Sequence, residues 1–153
     1  MSVLDIRHAG DPVLKEKSQS VSKITKSIRM LLDNMENTMR EADGVGLAAP
    51  QVGISLRVVI LDVGDGLIEL INPEILESAG CETSVEGCLS IPGMFGDVER
   101  FTSVTVKGLD RHGKPLVVQG SGLLARALQH EIDHLDGVLF FERAQSVFWE
   151  RKE

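Results

Sequence analysis

The sequence has no tyrosine, one tryptophan and only two cysteines, Cys81 and Cys88, among 153 residues. Two cysteines are too few to cross-link a small secreted scaffold, so each thiol needs its own explanation. Basic residues are also scarce, because 16 Lys and Arg stand against 23 Asp and Glu and give a net charge of −7. This balance argues against a nucleic-acid-binding protein and against an electrostatic membrane anchor, since both kinds of binding depend on Lys and Arg.

Long hydrophobic runs are missing as well. The longest, Val58–Leu61, has the length of a strand and falls far short of the roughly 20 residues that span a bilayer. Charge at Asp5 and Arg7 comes too early for the apolar part of a signal peptide. We therefore expect a cytoplasmic protein with no membrane partner, or a protein of an organelle matrix if a presequence has been removed.

Length and composition predict one domain. A chain of about 150 residues can bury roughly two-thirds of its extended surface, which is enough for a core without disulfides. Hydrophobic residues make up 42% and charged residues 25%, as in ordinary globular proteins. Neither repeats nor linkers divide the chain, so we predict a single domain over residues 1–153 with a short C-terminal tail at 138–153.

Hydrophobic periodicity predicts two helices. The first covers Ile24–Glu41, where apolar residues recur at helical offsets, with Ser22 as its N-cap and Gly44 as its stop. The second covers Gly122–Leu135. The first helix is expected to cover one side of the core without taking part in chemistry.

Strand patterns fill the middle of the chain. Alternating or continuous apolar residues predict strands at 57–63 and 67–71, the second ending at Asn72-Pro73. Residues 102–109 and 115–119 flank a turn and predict a hairpin. Short strands without helices between them indicate an antiparallel α+β domain.

The second helix carries the motif His-Glu-x-x-His. His130 and His134 are four residues apart and therefore share one helix face, where they can bind one divalent ion within reach of Glu131. All three lie on apolar stripes, which are Leu123, Ala127, His130, His134 and Leu124, Leu128, Glu131, Leu135. Polar groups turned toward the core need a compensating partner, and a metal supplies one. The alternative is a chance match of the motif on a solvated helix face. The other two histidines, His8 and His112, are expected to be surface residues.

Two imidazoles are too few for a catalytic metal site, which usually has three protein ligands and one open position. One large group of zinc peptidases places a third histidine where this chain has Phe140, and no downstream carboxylate continues the helical stripe. Cys81 and Cys88 remain, and a thiolate with two imidazoles suits Zn²⁺ or Fe²⁺. Spacing alone does not choose between the two cysteines.

Two further motifs precede the histidine helix. Residues 44–51 read Gly-Val-Gly-Leu-Ala-Ala-Pro-Gln, and residues 86–90 read Glu-Gly-Cys-Leu-Ser. Together with His-Glu-x-x-His they match, in order and at every fixed position, the three motifs of the peptide deformylases. From Val3 to Phe141 the sequence therefore resembles this family.

The resemblance implies a fold, a reaction and a cofactor. The expected fold is α+β, with antiparallel β-sheets surrounding a central helix that carries the His-Glu-x-x-His motif, plus an N-terminal helix. The expected reaction is hydrolysis of the N-formyl group from the initiator methionine of new polypeptides, with release of formate. The expected cofactor is one divalent metal ion, with Fe²⁺ as the physiological ion and Zn²⁺, Ni²⁺ or Co²⁺ able to replace it.

The family's residue roles carry over by position. The resemblance implies the metal ligands Cys88, His130 and His134. It implies Glu131 as the catalytic acid and base, with the Gln51 side chain and the Leu89 backbone N–H stabilising the oxyanion. It also implies a substrate-binding set of Gly44, Val45, Gly46, Glu86 and Gly87. Cys81 is then a small apolar residue in a loop or strand.

A charge pair near the cysteine motif has two interpretations. Arg100 and Glu86 could form an ion pair that positions the cysteine loop, or they could be two solvated surface charges.

The expected partners are N-formylmethionyl nascent peptides, and the expected oligomeric state is a monomer. The resemblance also implies the ribosome as a partner, because many members of the family have a long C-terminal helix that in bacteria helps them dock there. The tail at 138–153 has room for only a few turns, which argues against docking through it. Two other functions compete with the deformylase: a zinc peptidase, which lacks a third ligand downstream, and a metal-stabilised binding module, which would need neither Glu131 nor Gln51.

Overall fold

The computed structural model describes residues 2–150 as a mixed α+β chain. Its helices are α1 (Lys26–Glu41), α2 (Gly122–Leu135) and the single turn α3 (Phe140–Arg143), with short 3₁₀ helices at Pro12–Lys15 and Ala49–Val52. Its strands are β1 (Gly46–Ala48), β2 (Val58–Leu61), β3 (Ile68–Ala79), β4 (Glu82–Cys88), β5 (Ile91–Arg100), β6 (Ser103–Leu109), β7 (Pro115–Ser121) and β8 (Ala144–Trp149). Within residues 2–150, no helix is long and apolar enough to cross a membrane.

The strands form two antiparallel sheets. One has five strands in the order β1-β2-β3-β6-β7, and the other has three in the order β4-β5-β8. Every neighbouring pair is antiparallel, so the prediction of an antiparallel α+β fold is confirmed. The predicted hairpin is also confirmed, as β6 and β7 pair from Ser103 and Ser121 to Leu109 and Pro115.

Helices cover both faces of the five-stranded sheet. In β2 the side chains of Val59 and Leu61 pack with Leu128 of α2, and the alternate residues Val58 and Ile60 pack on the α1 side. All four β2 residues are fully buried, which explains why this strand is an uninterrupted apolar run. The central helix α2 therefore lies against the sheet, with its contacts mainly to β1, β2, β6 and β7.

Helix α1 begins three residues later than the predicted cap requires. Its N-cap is Thr25, whose hydroxyl accepts a hydrogen bond from the Ile28 N–H, so the prediction of Ser22 is wrong. At the other end Asp43 has a positive φ of 55°, and the N–H groups of Asp43 and Gly44 bond back to Arg40 and Met39. This is a Schellman ending in which an aspartate, not Gly44, takes the left-handed position.

Strand β3 is longer than predicted. It continues through Asn72-Pro73 to Ala79, with a register shift between Ile71 and Glu74. Asn72 takes a positive φ of 54°, and its side chain bonds to both the N–H and the carbonyl of Val21. The bulge accommodates a proline that has no N–H to donate to a neighbouring strand, so the chain resumes pairing beyond it.

The three-stranded sheet was not predicted from the sequence. Its strands β4 and β5 contain Gly87, Gly93 and Gly96 among charged residues, which obscures any alternation. The tail differs from the expectation too, because only α3 is helical and Ala144–Trp149 pairs with β5 as β8. The segment expected to be a cysteine loop is thus the end of a strand.

Candidate metal centre and catalytic cleft

Three potential metal ligands meet where β4 approaches α2. Cys88 is the last residue of β4, and His130 and His134 lie one turn apart on α2. One ligand atom from each residue lies within 4.8 Å of the other two, and the Cys88 Sγ is 3.3 Å from the His134 Nε2. Cys81 is exposed between β3 and β4 and does not belong to this group.

The charges around this group suit a bound cation. Burial lowers the pKa of His134 well below its usual value, which keeps this imidazole neutral as a metal ligand must be. Burial also disfavours protonation of His130, but contacts with Cys88 and Glu86 outweigh it and raise the His130 pKa. His130 is thus the imidazole that lies beside negative charge, at the Glu86 carboxylate. A thiolate and two imidazoles form a ligand set for Zn²⁺ or Fe²⁺, so these residues fit a divalent metal.

Glu131 lies beside the ligands and is almost completely buried. Its Oε1 is buried with no hydrogen-bond partner among the described residues, so one oxygen is available to an incoming group. Its Oε2 packs against Gly46, where an added Cβ would lie only 2.5 Å away. Burial raises the pKa of Glu131 to about 7, which suits a group that takes up and returns a proton near neutral pH.

Gln51 points its amide nitrogen toward the same place. The side-chain Oε1 accepts a hydrogen bond of 2.9 Å from the Ala48 N–H, which fixes the orientation of the amide. The Nε2 is then 3.2 Å from the Ser90 hydroxyl and 3.5 Å from the Cys88 sulfur. The 3₁₀ turn that follows β1 thus delivers a fixed N–H donor to the metal centre.

Leu89 supplies a second donor of the same kind. With Ser90 it forms the two-residue turn between β4 and β5, directly after Cys88. Its backbone N–H has no protein acceptor within residues 2–150. A backbone N–H and a side-chain amide are both donors of the kind that stabilise a developing oxyanion.

Glu86 is the centre of a buried ion-pair network. Arg100 binds it through two hydrogen bonds of 2.8 Å each, and Arg126 donates one of 2.6 Å. The remaining contact is 2.9 Å, from Glu86 Oε1 to the His130 Nδ1. Burial raises the pKa of Glu86, but the hydrogen bonds from Arg100 and His130 outweigh it and hold that pKa well below its ordinary value.

The network includes the charge pair of Arg100 and Glu86, for which the sequence left two interpretations open. The ion pair between Arg100 and Glu86 is present and almost fully buried, so the alternative of two solvated charges is wrong. Glu86 had been assigned to substrate binding by the resemblance, yet both of its oxygens are occupied by protein groups. Its carboxylate is therefore placed to orient His130 and leave the other ring nitrogen toward the ligand group.

The sequence analysis did not identify three residues of this network, which are Arg126, Asp133 and Arg143. Asp133 accepts a 2.6 Å hydrogen bond from Arg100 and two from Arg143, at 2.6 and 2.9 Å. Helical spacing could have identified one of them, because Arg126 lies four residues before His130 and therefore on the same helix face.

A cleft of about 420 Å³ opens onto the metal centre. It runs between two open sheet edges, because β1 is an edge strand of one sheet and β4 an edge strand of the other. All five residues of the implied substrate-binding set line it, which are Gly44, Val45, Gly46, Glu86 and Gly87. Leu123 also lines the cleft and is 55% exposed, so its predicted core position is wrong. His8 and His112 are exposed as predicted.

Comparison with known proteins gives one consistent result. The sequence pattern of the polypeptide deformylase family matches residues 3–148. The peptide deformylase of Pelotomaculum thermopropionicum is 60% identical over 147 residues, which are 96% of this chain and 95% of that protein. The peptide deformylase of Carboxydothermus hydrogenoformans is 55% identical, again over 96% of this chain and 97% of its own length.

Solved structures agree with these relatives. The crystal structure of the Thermotoga maritima peptide deformylase has a TM-score of 0.93 at 43% identity and covers 95% of this chain and 100% of its own. That of Synechococcus elongatus, in complex with actinonin, has a TM-score of 0.91 at 45% identity and covers 94% of this chain and 79% of its own.

Proposed function

Because this chain belongs to the polypeptide deformylase family, we propose that the residues meeting at its cleft carry out the family's reaction. The chain is a metal-dependent hydrolase that removes the N-formyl group of nascent peptides and releases formate. One observation carries the assignment of residues: the ligand atoms of Cys88, His130 and His134 lie within 4.8 Å of one another. The catalytic domain is proposed to comprise residues 1–153 as one unit.

The metal ligands in this proposal are Cys88, His130 and His134. When bound there, a divalent ion polarises the formyl carbonyl and makes the attacking water more acidic. We propose Fe²⁺ as the physiological ion, with Zn²⁺, Ni²⁺ or Co²⁺ as replacements, since a thiolate with two imidazoles accommodates all of them. Glu86 holds the His130 ring by its Nδ1, so the Nε2 would be the nitrogen left to bind a metal.

Glu131 moves the proton in this mechanism. Its Oε1 has no protein partner among the described residues and can accept the proton of the attacking water. The carboxylic acid then returns that proton to the peptide nitrogen as the bond to the formyl carbon breaks. A pKa of about 7 supports both steps, because the carboxyl can accept and release a proton near neutral pH.

The oxyanion is stabilised by the Gln51 amide and the Leu89 N–H. Both donors are fixed before substrate arrives, Gln51 by its bond from Ala48 and Leu89 by the tight turn after Cys88. Preorganised donors of this kind typically lower a barrier by roughly 3–4 kcal/mol each, because no reorientation is needed when charge develops.

The substrate peptide is proposed to lie between the two open sheet edges. Main-chain groups of Val45 and Gly46 on the β1 side and of Gly87 on β4 can pair with an extended peptide, as in strand addition. Selectivity for a formyl group follows from the lack of space. A Cβ at Gly44 would come within 2.8 Å of the Leu89 Cδ1 and one at Gly46 within 2.5 Å of the Glu131 Oε2, so this wall of the cleft is tight.

The biological setting is also part of the proposal. We place the enzyme in the cytoplasm, acting as a monomer on N-formylmethionyl nascent chains. Residues 144–149 form β8 and not a long helix, so the proposal assigns no ribosome contact to them.

A comparison of two substrates tests the proposal against the zinc peptidase. The metal-loaded protein, kept reduced, is expected to release formate from a formyl-Met peptide and to leave internal peptide bonds intact. Cleavage of an internal bond without formate release would contradict the deformylase assignment. Metal binding without either reaction would favour a binding module.

A further inference from the structure

The ligands of the proposed metal site come from two separately packed parts of the fold. His130 and His134 lie on α2, which packs mainly on the five-stranded sheet. Cys88 ends β4 in the three-stranded sheet. The spacing between the thiolate and the imidazoles therefore depends on what connects α2 to the β4–β5 hairpin.

Arg126 makes this connection through three acceptors. Its Nη1 donates to the Glu86 Oε2 at 2.6 Å and to the Val98 carbonyl at 2.9 Å, and its Nη2 donates to the Glu82 carbonyl at 2.8 Å. Glu82 and Glu86 lie on β4 and Val98 lies on β5, so one helical side chain binds both strands of the hairpin. The side chain is only 11% exposed, which shields its ion pair from water.

The position of Arg126 on the helix also matters. It precedes His130 by one turn, and both side chains contact Glu86. Arg100 binds Glu86 as well, but it lies at the end of β5 and reaches α2 only through Asp133. Arg126 and Arg100 thus both join the histidine helix to the cysteine hairpin, but Arg126 does so from the helix and binds both strands, one turn before His130.

We propose that Arg126 is a positioning residue for the metal site. It sets the distance between Cys88 and the two histidines by holding the hairpin against α2, and it orients Glu86 toward His130. This inference rests on the proposed function of the three ligands. The guanidinium reaches these three acceptors from two nitrogens in a fixed plane, whereas a lysine ammonium would have to reach them all from one nitrogen.

Metal affinity tests the inference directly. Co²⁺ is titrated into metal-free wild-type protein, Arg126→Met and Arg126→Lys, with the absorption of the cobalt–thiolate centre and a competing chelator as readouts. We expect Arg126→Met to bind Co²⁺ roughly 10–100-fold more weakly, as is usual when a group that orients a metal ligand is lost. We expect Arg126→Lys to recover only part of the affinity. At saturating Co²⁺ the kcat of both variants should approach that of wild type.

Arg111→Met is the matched control. Arg111 also makes three hydrogen bonds to carboxylate groups, with Glu69 and Asp33, but none of the three residues lines the cleft. It should lose stability while keeping wild-type Co²⁺ affinity. Arg126 variants with unchanged affinity, or with a raised KM as their sole defect, would overturn the inference. The proposed metal site itself would be contradicted if the wild-type protein failed to bind Co²⁺, or if the Cys88→Ala variant still bound it.

Discussion

The Glu131 carboxylate lies directly against the backbone of Gly46, with no space for a side chain between them. A Cβ at Gly46 would come within 2.5 Å of the Glu131 Oε2. β1 thus forms one wall of the pocket that holds the catalytic carboxylate. The first motif of the sequence needs glycine here because of a residue 85 positions further along the chain.

Replacing Gly46 with alanine should therefore displace Glu131. We expect kcat to fall roughly 100-fold, since a shift of about 1 Å in a reacting group can cost that much. Metal binding should persist, because the three ligands are not displaced. Gly108→Ala is the control, as its Cβ would meet Ile71 and Leu70 at 3.1 Å, outside the cleft. Equal losses of activity in both variants would point to general misfolding.

Glu131→Gln should separate chemistry from binding. The amide keeps the shape of the side chain but cannot take a proton from water. We expect a loss of roughly 10²–10⁴-fold in kcat with stoichiometric metal retained, measured by formate release and metal analysis. Near-normal turnover would remove Glu131 from its assigned role.

The two cysteines should behave differently when replaced. Cys88→Ala is expected to abolish stoichiometric binding of a divalent metal, because it removes one of three ligands. Cys81→Ser serves as the control and should bind metal normally, since Cys81 is exposed and outside the ligand group. Metal analysis after dialysis measures both, and the opposite result would exchange the roles of the two thiols.

Asp133→Ala should destabilise the fold. It removes the acceptor of hydrogen bonds from the buried Arg100 and from Arg143, so we expect the free energy of unfolding to fall by about 2–3 kcal/mol. Glu142→Gln weakens the more exposed pair with Lys15 and should cost less than about 1 kcal/mol. Denaturant unfolding of metal-free protein compares the two, and similar costs would mean that the Asp133 network contributes little.

Acetyl-Met peptides should be poor substrates. The acetyl methyl group would need space at the wall formed by Gly44 and Gly46, where an added Cβ would come within 2.8 Å of the Leu89 Cδ1 and 2.5 Å of the Glu131 Oε2. We expect kcat/KM to be at least 100-fold below that for the formyl peptide, measured by release of the acid. Comparable rates for the two acyl groups would refute a steric origin of selectivity.

The periodic parts of the fold could be predicted from the sequence. Helix α2 begins and ends as expected, and the β6–β7 hairpin follows its alternation. The elements that were not predicted depend on contacts between distant parts of the chain. β3 passes Pro73 because the Asn72 side chain bonds to Val21, and the glycine-rich β4 and β5 exist because they pair with each other and with β8.

The site was predictable where a motif fixes residue types at short range. The four-residue spacing of His130 and His134 predicts that both lie on one helix face. The family resemblance identified Cys88 and Gln51 as site residues. Arg126 and Asp133 were missed because their partners lie on distant strands. Glu86 was assigned to the substrate because a motif does not show that arginines from two elements converge on it.

The placement of β8 has a consequence for biosynthesis. An isolated two-stranded hairpin is only marginally stable in water, and β8 provides the third strand beside β5. Because β8 is translated after both Cys88 and the histidine helix, the hairpin that carries the thiolate gains its last neighbour late. β5 therefore has both of its strand neighbours only once residues 144–149 have been synthesised.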